Sequence, residues 1–159
     1  MFHYWGVVLV LLSWLAGAYL VSRWRNADLP TLSKHGASSP NAHLFFAGSL
    51  TTLGSLFYWW LIGWFAPHLQ LGISFVALIT VAIGCQILAG IVPDTAGLSR
   101  RVHRIAAYAM AVTYLPLSVI IICSGLPFIT RLFCILLTLY MAITFTFLVL
   151  LRWAQKKFL

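Results

Sequence analysis

Five apolar runs, each close to the length of a membrane-spanning helix, constrain this chain more than any other feature. They cover residues 4–21, 42–66, 71–92, 102–123 and 128–151. A helix needs about 20 apolar residues to cross a hydrocarbon core of about 30 Å. The mean hydropathy of +0.99 agrees with this interpretation. The sequence therefore predicts an all-α fold, an integral membrane bundle of about five transmembrane helices that forms a single domain over residues 1–159.

Turn-forming and helix-capping residues separate the runs. The longest connection, residues 23–41, is rich in Pro, Gly, Ser, Asp and Asn, which favour turns and helix starts. Pro67 separates the second run from the third, Pro93 and Gly97 follow the third, and Gly125 with Pro127 separates the last two. Pro116 lies inside the fourth run, where it predicts a kink.

The first run has the length of a signal-peptide core, and residues 16–18 (Ala-Gly-Ala) resemble a cleavage site. However, no Lys or Arg precedes Arg23, so the charged segment that opens a signal peptide is missing. We expect this run to be an uncleaved membrane helix.

The Lys and Arg residues predict the orientation of the bundle. With five spans, nine of the ten basic residues fall on one side and only Arg131 falls on the other. Because Lys and Arg are enriched in cytoplasmic loops, we expect the N-terminus outside and the C-terminus in the cytoplasm. We expect a multi-pass protein that is located in a prokaryotic inner membrane or plasma membrane.

One short segment, PDTAGLSRRVHRIAAYA at residues 93–109, concentrates charge in a chain of which only 8% is charged, and it could form a binding site. Arg100, His103 and Arg104 would share one face of a helix start, with Arg101 beside them. The arginines are explained by topology alone, as anchors at the membrane interface. The alternative is a pocket for an anionic group, such as a phospholipid headgroup, that also includes His43 and Asp94. An Asp in this position can also close the loop by pairing with an Arg.

A weak internal similarity links two loops on the predicted cytoplasmic side. In SSPNAHLFFAG and GLSRRVHRIAA, a Ser stands four residues before a His, and that His opens an apolar run. The two histidines, His43 and His103, lie 60 residues apart. One interpretation is that the chain contains two helix-loop-helix units followed by a fifth helix.

A few polar side chains lie within the apolar runs, where they usually face the interior of a bundle. Small residues accompany them at helical spacing. We expect a partly polar interior, although the same residues are equally consistent with close helix packing. The candidates are Thr51, Tyr58, Gln86 and Tyr114.

The sequence offers little for catalysis or metal binding. No Asp or Glu lies within a run, which argues against ion-driven transport, and nothing resembles a Ser-His-Asp arrangement. The three cysteines have no paired spacing. His43 and His103 could in principle ligate a haem, but no second pair exists and histidines at helix ends are common. We predict no cofactor and no metal, and no binding of nucleic acid.

Two stretches resemble a large prokaryotic family of polytopic membrane proteins of unknown function, which is similar to the damage-regulated autophagy modulator (DRAM) family. They are TLSKHGASSPNAHLFFAGSLTTLG and GIVPDTAGLSRRVHRIAAYA, and the similarity covers about residues 31–111. That family usually has six spans, an Asp where Lys34 stands and a Phe where Val92 stands. The resemblance implies a small helical bundle without established catalytic activity.

These observations favour a small non-enzymatic membrane protein that binds lipid or docks as an accessory subunit of a membrane complex. Its expected partners are membrane lipids and other membrane proteins. The alternative is a lipid-modifying enzyme or a small carrier that acts at the loops of the cytoplasmic side.

Overall fold

The computed structural model describes residues 4–25 and 31–157, and these residues form helices joined by short connections, without strands. Four helices are long and apolar enough to cross a membrane, which indicates a membrane protein. The helices are α1 (Trp5–Arg23), the short α2 (Leu32–Gly36), α3 (Pro40–His68), α4 (Ile73–Ile91), α5 (Gly97–Ile122) and α6 (Phe128–Lys157). The apolar part of α6 that is described covers Phe128–Thr144.

Helix ends follow local sequence signals. Ser39 caps α3, since its hydroxyl accepts a hydrogen bond from the backbone N–H of Ala42, and Pro40 occupies the first helical position. Thr31 caps α2 in the same way through the N–H of Lys34. Gly97, which opens α5, has a φ of 59°, a left-handed conformation that glycine adopts without steric cost.

The helix bounds agree with the apolar runs to within a few residues, apart from two differences. The connection over residues 23–41 contains α2, which its turn-forming composition does not predict. Helix α5 starts at Gly97 and not at residue 102. The prediction started later because it followed the apolar run, which does not include the charged turn with Arg100 and Arg101. Pro116 lies inside α5 as predicted, and Pro67 lies in the last turn of α3, which widens to a π-helix over Leu61–Phe65.

Consecutive long helices pack side by side. Helix α1 packs on α3, α3 on α4, α4 on α5 and α5 on α6. Close approaches show that α3 and α4 are antiparallel, since Leu50 lies against Gly90, and Gln86 lies against Gly54. Helices α1 and α3 are antiparallel too, since the indole of Trp60 lies on Gly6.

This arrangement gives the bundle two distinct ends. Arg23, Lys34 and Arg100 lie at one end, which we call the basic end. At the opposite end, the rings of Trp60 and Trp64 stack with centroids 5.6 Å apart, and the Trp64 and His68 rings stack at 4.9 Å. We call this the aromatic end.

The hydrophobic core lies toward the aromatic end. Its buried side chains come from the end of α3, the first half of α4 and the second half of α5. Phe75 is the largest of them and is 1% exposed. The cluster is Leu61, Ala66, Phe75, Ile79, Ala82, Ile83 and Leu117.

Candidate functional site

A cavity of about 540 Å³ lies between the long helices, in the half of the bundle toward the basic end. Its volume is within the range of about 300–1,000 Å³ that is typical of small-molecule sites. Helices α3 and α4 form its back, while α1 and α5 face each other across it. Its walls are mainly apolar and include Leu9, Leu20, Phe46, Leu53 and Met110. In the described part of the chain, no Lys, Arg, Asp or Glu lines this space.

Phe57 and Tyr114 mark the boundary between the cavity and the hydrophobic core. Both side chains line the cavity and also pack against the core cluster. The cavity is therefore closed toward the aromatic end by well-packed side chains. The opening lies along α1, where Trp14 lines the cavity although it is 73% exposed.

Gln86 brings a polar group into the cavity wall. Its amide nitrogen lies 3.2 Å from the position that a Cβ on Gly54 would occupy. A larger residue at position 54 would therefore push against the amide. The prediction that Gln86 faces the interior is in line with this contact, and Tyr114 lines the same space.

His103 also lines the cavity and is 7% exposed. Its ring nitrogen Nδ1 lies 2.9 Å from the carbonyl oxygen of Val92, which follows the last residue of α4. Because a carbonyl oxygen only accepts, Nδ1 is the donor, and a neutral ring then leaves Nε2 as an acceptor. The first turns of α5 are thus tied to the end of α4.

His35 makes the same contact elsewhere in the bundle. It is 6% exposed, and its Nδ1 lies 3.2 Å from the carbonyl oxygen of Trp24, the residue after α1. We call these two contacts the histidine latches. The latches lie 68 residues apart, and α1 and α4, both 19 residues long, are offset by the same distance. The structural counterpart of His103 is therefore His35, whereas the sequence similarity pairs His103 with His43.

Asp94 and Arg100 close the loop between α4 and α5. The guanidinium Nε of Arg100 lies 3.6 Å from Oδ1 of Asp94, and its terminal nitrogen donates to the carbonyl of Thr95. The hydroxyl of Ser99 donates to the carbonyl of Pro93. Of the two roles considered for Asp94, the structure shows the ion pair that closes the loop, and this pair occupies part of the Arg100 guanidinium that was predicted to bind an anion.

The remaining residues of the predicted anion site lie at the basic end but outside the cavity. Arg101 and Arg104 are exposed on the first turns of α5. His43 is half-buried on α3, with its Nδ1 buried and without a hydrogen-bond partner. The antiparallel register of α3 and α4 places His43 at the level of the loop after α4. The structure therefore brings only His103 of this set into the cavity.

The predicted polar interior divides into two groups. Gln86 and Tyr114 line the cavity, whereas Thr51 and Tyr58 do not contribute to its walls. Tyr58 packs against the hydrophobic core, and its hydroxyl lies 2.9 Å from the hydroxyl of Thr80 on α4. Thr51 is half-buried.

The cavity itself is the main feature that the sequence interpretation lacked. Its apolar walls have the composition of any packed interior, so no local signal separates a hollow from a core. A second pocket of about 720 Å³ adjoins it along α1 and reaches Arg25. The two pockets share Ser13, Trp14, Gly17 and Leu32.

The described residues contain no group of three or more His, Cys, Asp or Glu side chains that could hold a metal ion. The sequence offers Asp28 as a carboxylate partner for His35, but Asp28 lies outside the described residues. Comparisons with protein-family models, curated proteins and solved structures found no match. The resemblance to the DRAM-related family therefore stays a prediction.

Proposed function

We propose that this protein is a non-enzymatic membrane protein that binds a lipid within its bundle. The cavity toward the basic end carries this proposal, because it is deep, mainly apolar and bounded by helices long enough to span a membrane. Pockets of this size that are lined by apolar side chains with a few polar groups are typical ligand sites.

The proposal includes a topology. In it, α6 is the fifth span, the N-terminus lies outside and the basic end faces the cytoplasm of a prokaryotic cell, as the distribution of Lys and Arg favours. A reporter fused after Leu159 is then active only on the cytoplasmic side. Activity of that fusion on the outer side would contradict this orientation.

The exposed arginines add an anionic lipid to the proposal. Arg101 and Arg104 project from the start of α5, where they can attract acidic headgroups at about 1 kcal/mol for each basic residue. Arg100 contributes less, because it contacts Asp94 and Thr95. This lipid lies at the membrane surface and is distinct from the one in the cavity.

Native mass spectrometry of the purified protein tests the cavity as a lipid site. The parent protein is expected to retain a lipid through mild detergent removal. Ala107→Phe, which adds a ring to the cavity wall, should lose that lipid because it fills the space. Val112→Phe is the control, since it places the same ring at a half-exposed position on the same helix.

Equal lipid retention by the parent, Ala107→Phe and Val112→Phe would show that bound lipid lies on the outer surface. The cavity would then not be the binding site. Parallel loss in both variants would point to a general effect on folding, which their unfolding temperatures would reveal.

A further inference from the structure

The polar groups of the cavity carry information about the head of the ligand, which the proposed function leaves open. Besides the hydroxyls of Ser13, Ser33 and Ser49, three larger polar side chains line the space: His103, Gln86 and Tyr114. In the described part of the chain, their ring nitrogen Nε2, amide and hydroxyl have no hydrogen-bond partner. All three are uncharged groups when the ring of His103 is neutral.

His103 fixes the chemistry of the first contact. Its Nδ1 donates to the carbonyl of Val92, so Nε2 accepts a hydrogen bond in the neutral ring. The residue is more than nine-tenths buried and lines the cavity near the basic end. Nε2 is therefore an acceptor that a hydroxyl group of a ligand can satisfy.

The absence of charge in the described walls narrows the ligand further. A carboxylate or phosphate in this space would meet no cationic side chain, and an ammonium would meet no carboxylate. Burying an unpaired charge is far more costly than burying a hydrogen-bonded hydroxyl. Gln86 can both donate and accept, which suits a head with more than one hydroxyl group. Tyr114 lies at the opposite end of the cavity, beside Phe57.

We propose that the cavity holds a single-chain lipid with an uncharged, hydroxyl-bearing head, and that a head hydroxyl donates to Nε2 of His103. The chain lies against the apolar wall that ends at Phe57. This assignment rests on the proposed function, because it names the class of lipid that the same cavity takes. It differs from the anionic lipid expected at the exposed arginines.

Three probes with the same chain and different heads test the assignment: 1-monooleoylglycerol, oleate and oleylamine. Each is titrated at pH 8 against the delipidated full-length protein in neutral detergent, and the dissociation constant is read by native mass spectrometry. Monooleoylglycerol is expected to bind about tenfold more tightly than either charged probe, because only it avoids burying a charge.

Two variants distinguish loss of the contact with the lipid head from loss of a histidine latch. His103→Asn keeps a short-chain donor that can reach the Val92 carbonyl but removes the acceptor at the position of Nε2. It should weaken monooleoylglycerol binding by about threefold to tenfold, the range for one hydrogen bond. His35→Asn, at the latch outside the cavity, is the matched control and should leave binding unchanged.

The outcomes distinguish the two proposals. Binding of oleate or oleylamine as tight as that of monooleoylglycerol would overturn the uncharged head while leaving the cavity as a lipid site. Binding of none of the three probes would overturn the proposed function and the head assignment with it. The ranking of probes is measured on the parent protein, so it stands even where His103→Asn fails to fold.

Discussion

The two halves of the bundle are built from the same four long helices but are packed in opposite ways. Toward the aromatic end, buried side chains such as Phe75 and Leu117 fill the space between α3, α4 and α5. Toward the basic end, the same helices enclose a cavity of about 540 Å³ with polar groups in its wall. The packed core and the cavity therefore lie toward different ends of the bundle.

The half of the bundle that contains the cavity needs contacts that hold its helices together around the open space. Toward the basic end, side-chain packing such as the Tyr19–Phe45 ring contact joins the helices around the cavity, and the two histidine latches and the Asp94–Arg100 loop closure add to it. These contacts tie consecutive segments together at the ends of the helices. They leave the space between the helices open.

The largest expected effect is in the packed half. Leu117→Ala should lower the free energy of unfolding by about 2–5 kcal/mol, because it leaves a void among well-packed neighbours. Met110→Ala, two turns away on α5, should cost much less, since Met110 already borders a void. Titration with sodium dodecyl sulfate in mixed micelles measures both. Equal losses would show that the two halves do not differ in packing.

Loss of a histidine latch should have the second-largest effect on the free energy of unfolding. His35→Ala leaves the Trp24 carbonyl without its partner and should cost about 1–3 kcal/mol of stability. Hydrogen exchange should rise in the last turn of α1. His43→Ala is the control, because the buried Nδ1 of that half-buried ring makes no hydrogen bond. A cost for His43→Ala as large as that for His35→Ala would contradict the structural role given to the latch.

Two neighbouring alanines on α5 sharpen the comparison. Ala106 is 2% exposed in a packed contact, so Ala106→Leu should cost about 1–3 kcal/mol through overpacking. Ala107 lines the cavity, so Ala107→Leu should be neutral or stabilising by about 1 kcal/mol. Thermal unfolding in the same detergent compares them. The reverse order would mean that the cavity cannot accept a side chain.

The smallest effect on stability is expected for the exposed arginines. Arg100→Lys with Arg104→Lys keeps the charge but loses the planar guanidinium group, and it should change stability by less than about 1 kcal/mol. Retention of phosphatidylglycerol in native mass spectrometry should fall. Full retention by this double variant would leave the arginines with the role of topology anchors alone.

The sequence was sufficient to predict the long helices but not α2, nor how the space between the helices is filled. Four of the five apolar runs correspond to helices long and apolar enough to span a membrane, and Asp94 pairs with Arg100 across its loop. The contact of His35 with the Trp24 carbonyl was not predicted, because a backbone carbonyl carries no side-chain signal. The cavity depends on the distance between α1 and α5, which no single segment encodes.

The latches also set an order for the assembly of the chain during synthesis. Each latch joins residues only 11 positions apart, so it can close as soon as its histidine has left the ribosome. The walls of the cavity include Leu9 and Tyr114, which are separated by most of the chain. Two helical hairpins can thus be complete before the hollow between them exists. The hollow thus forms only when α5 joins the earlier helices, and it stays open along α1, where Trp14 is exposed.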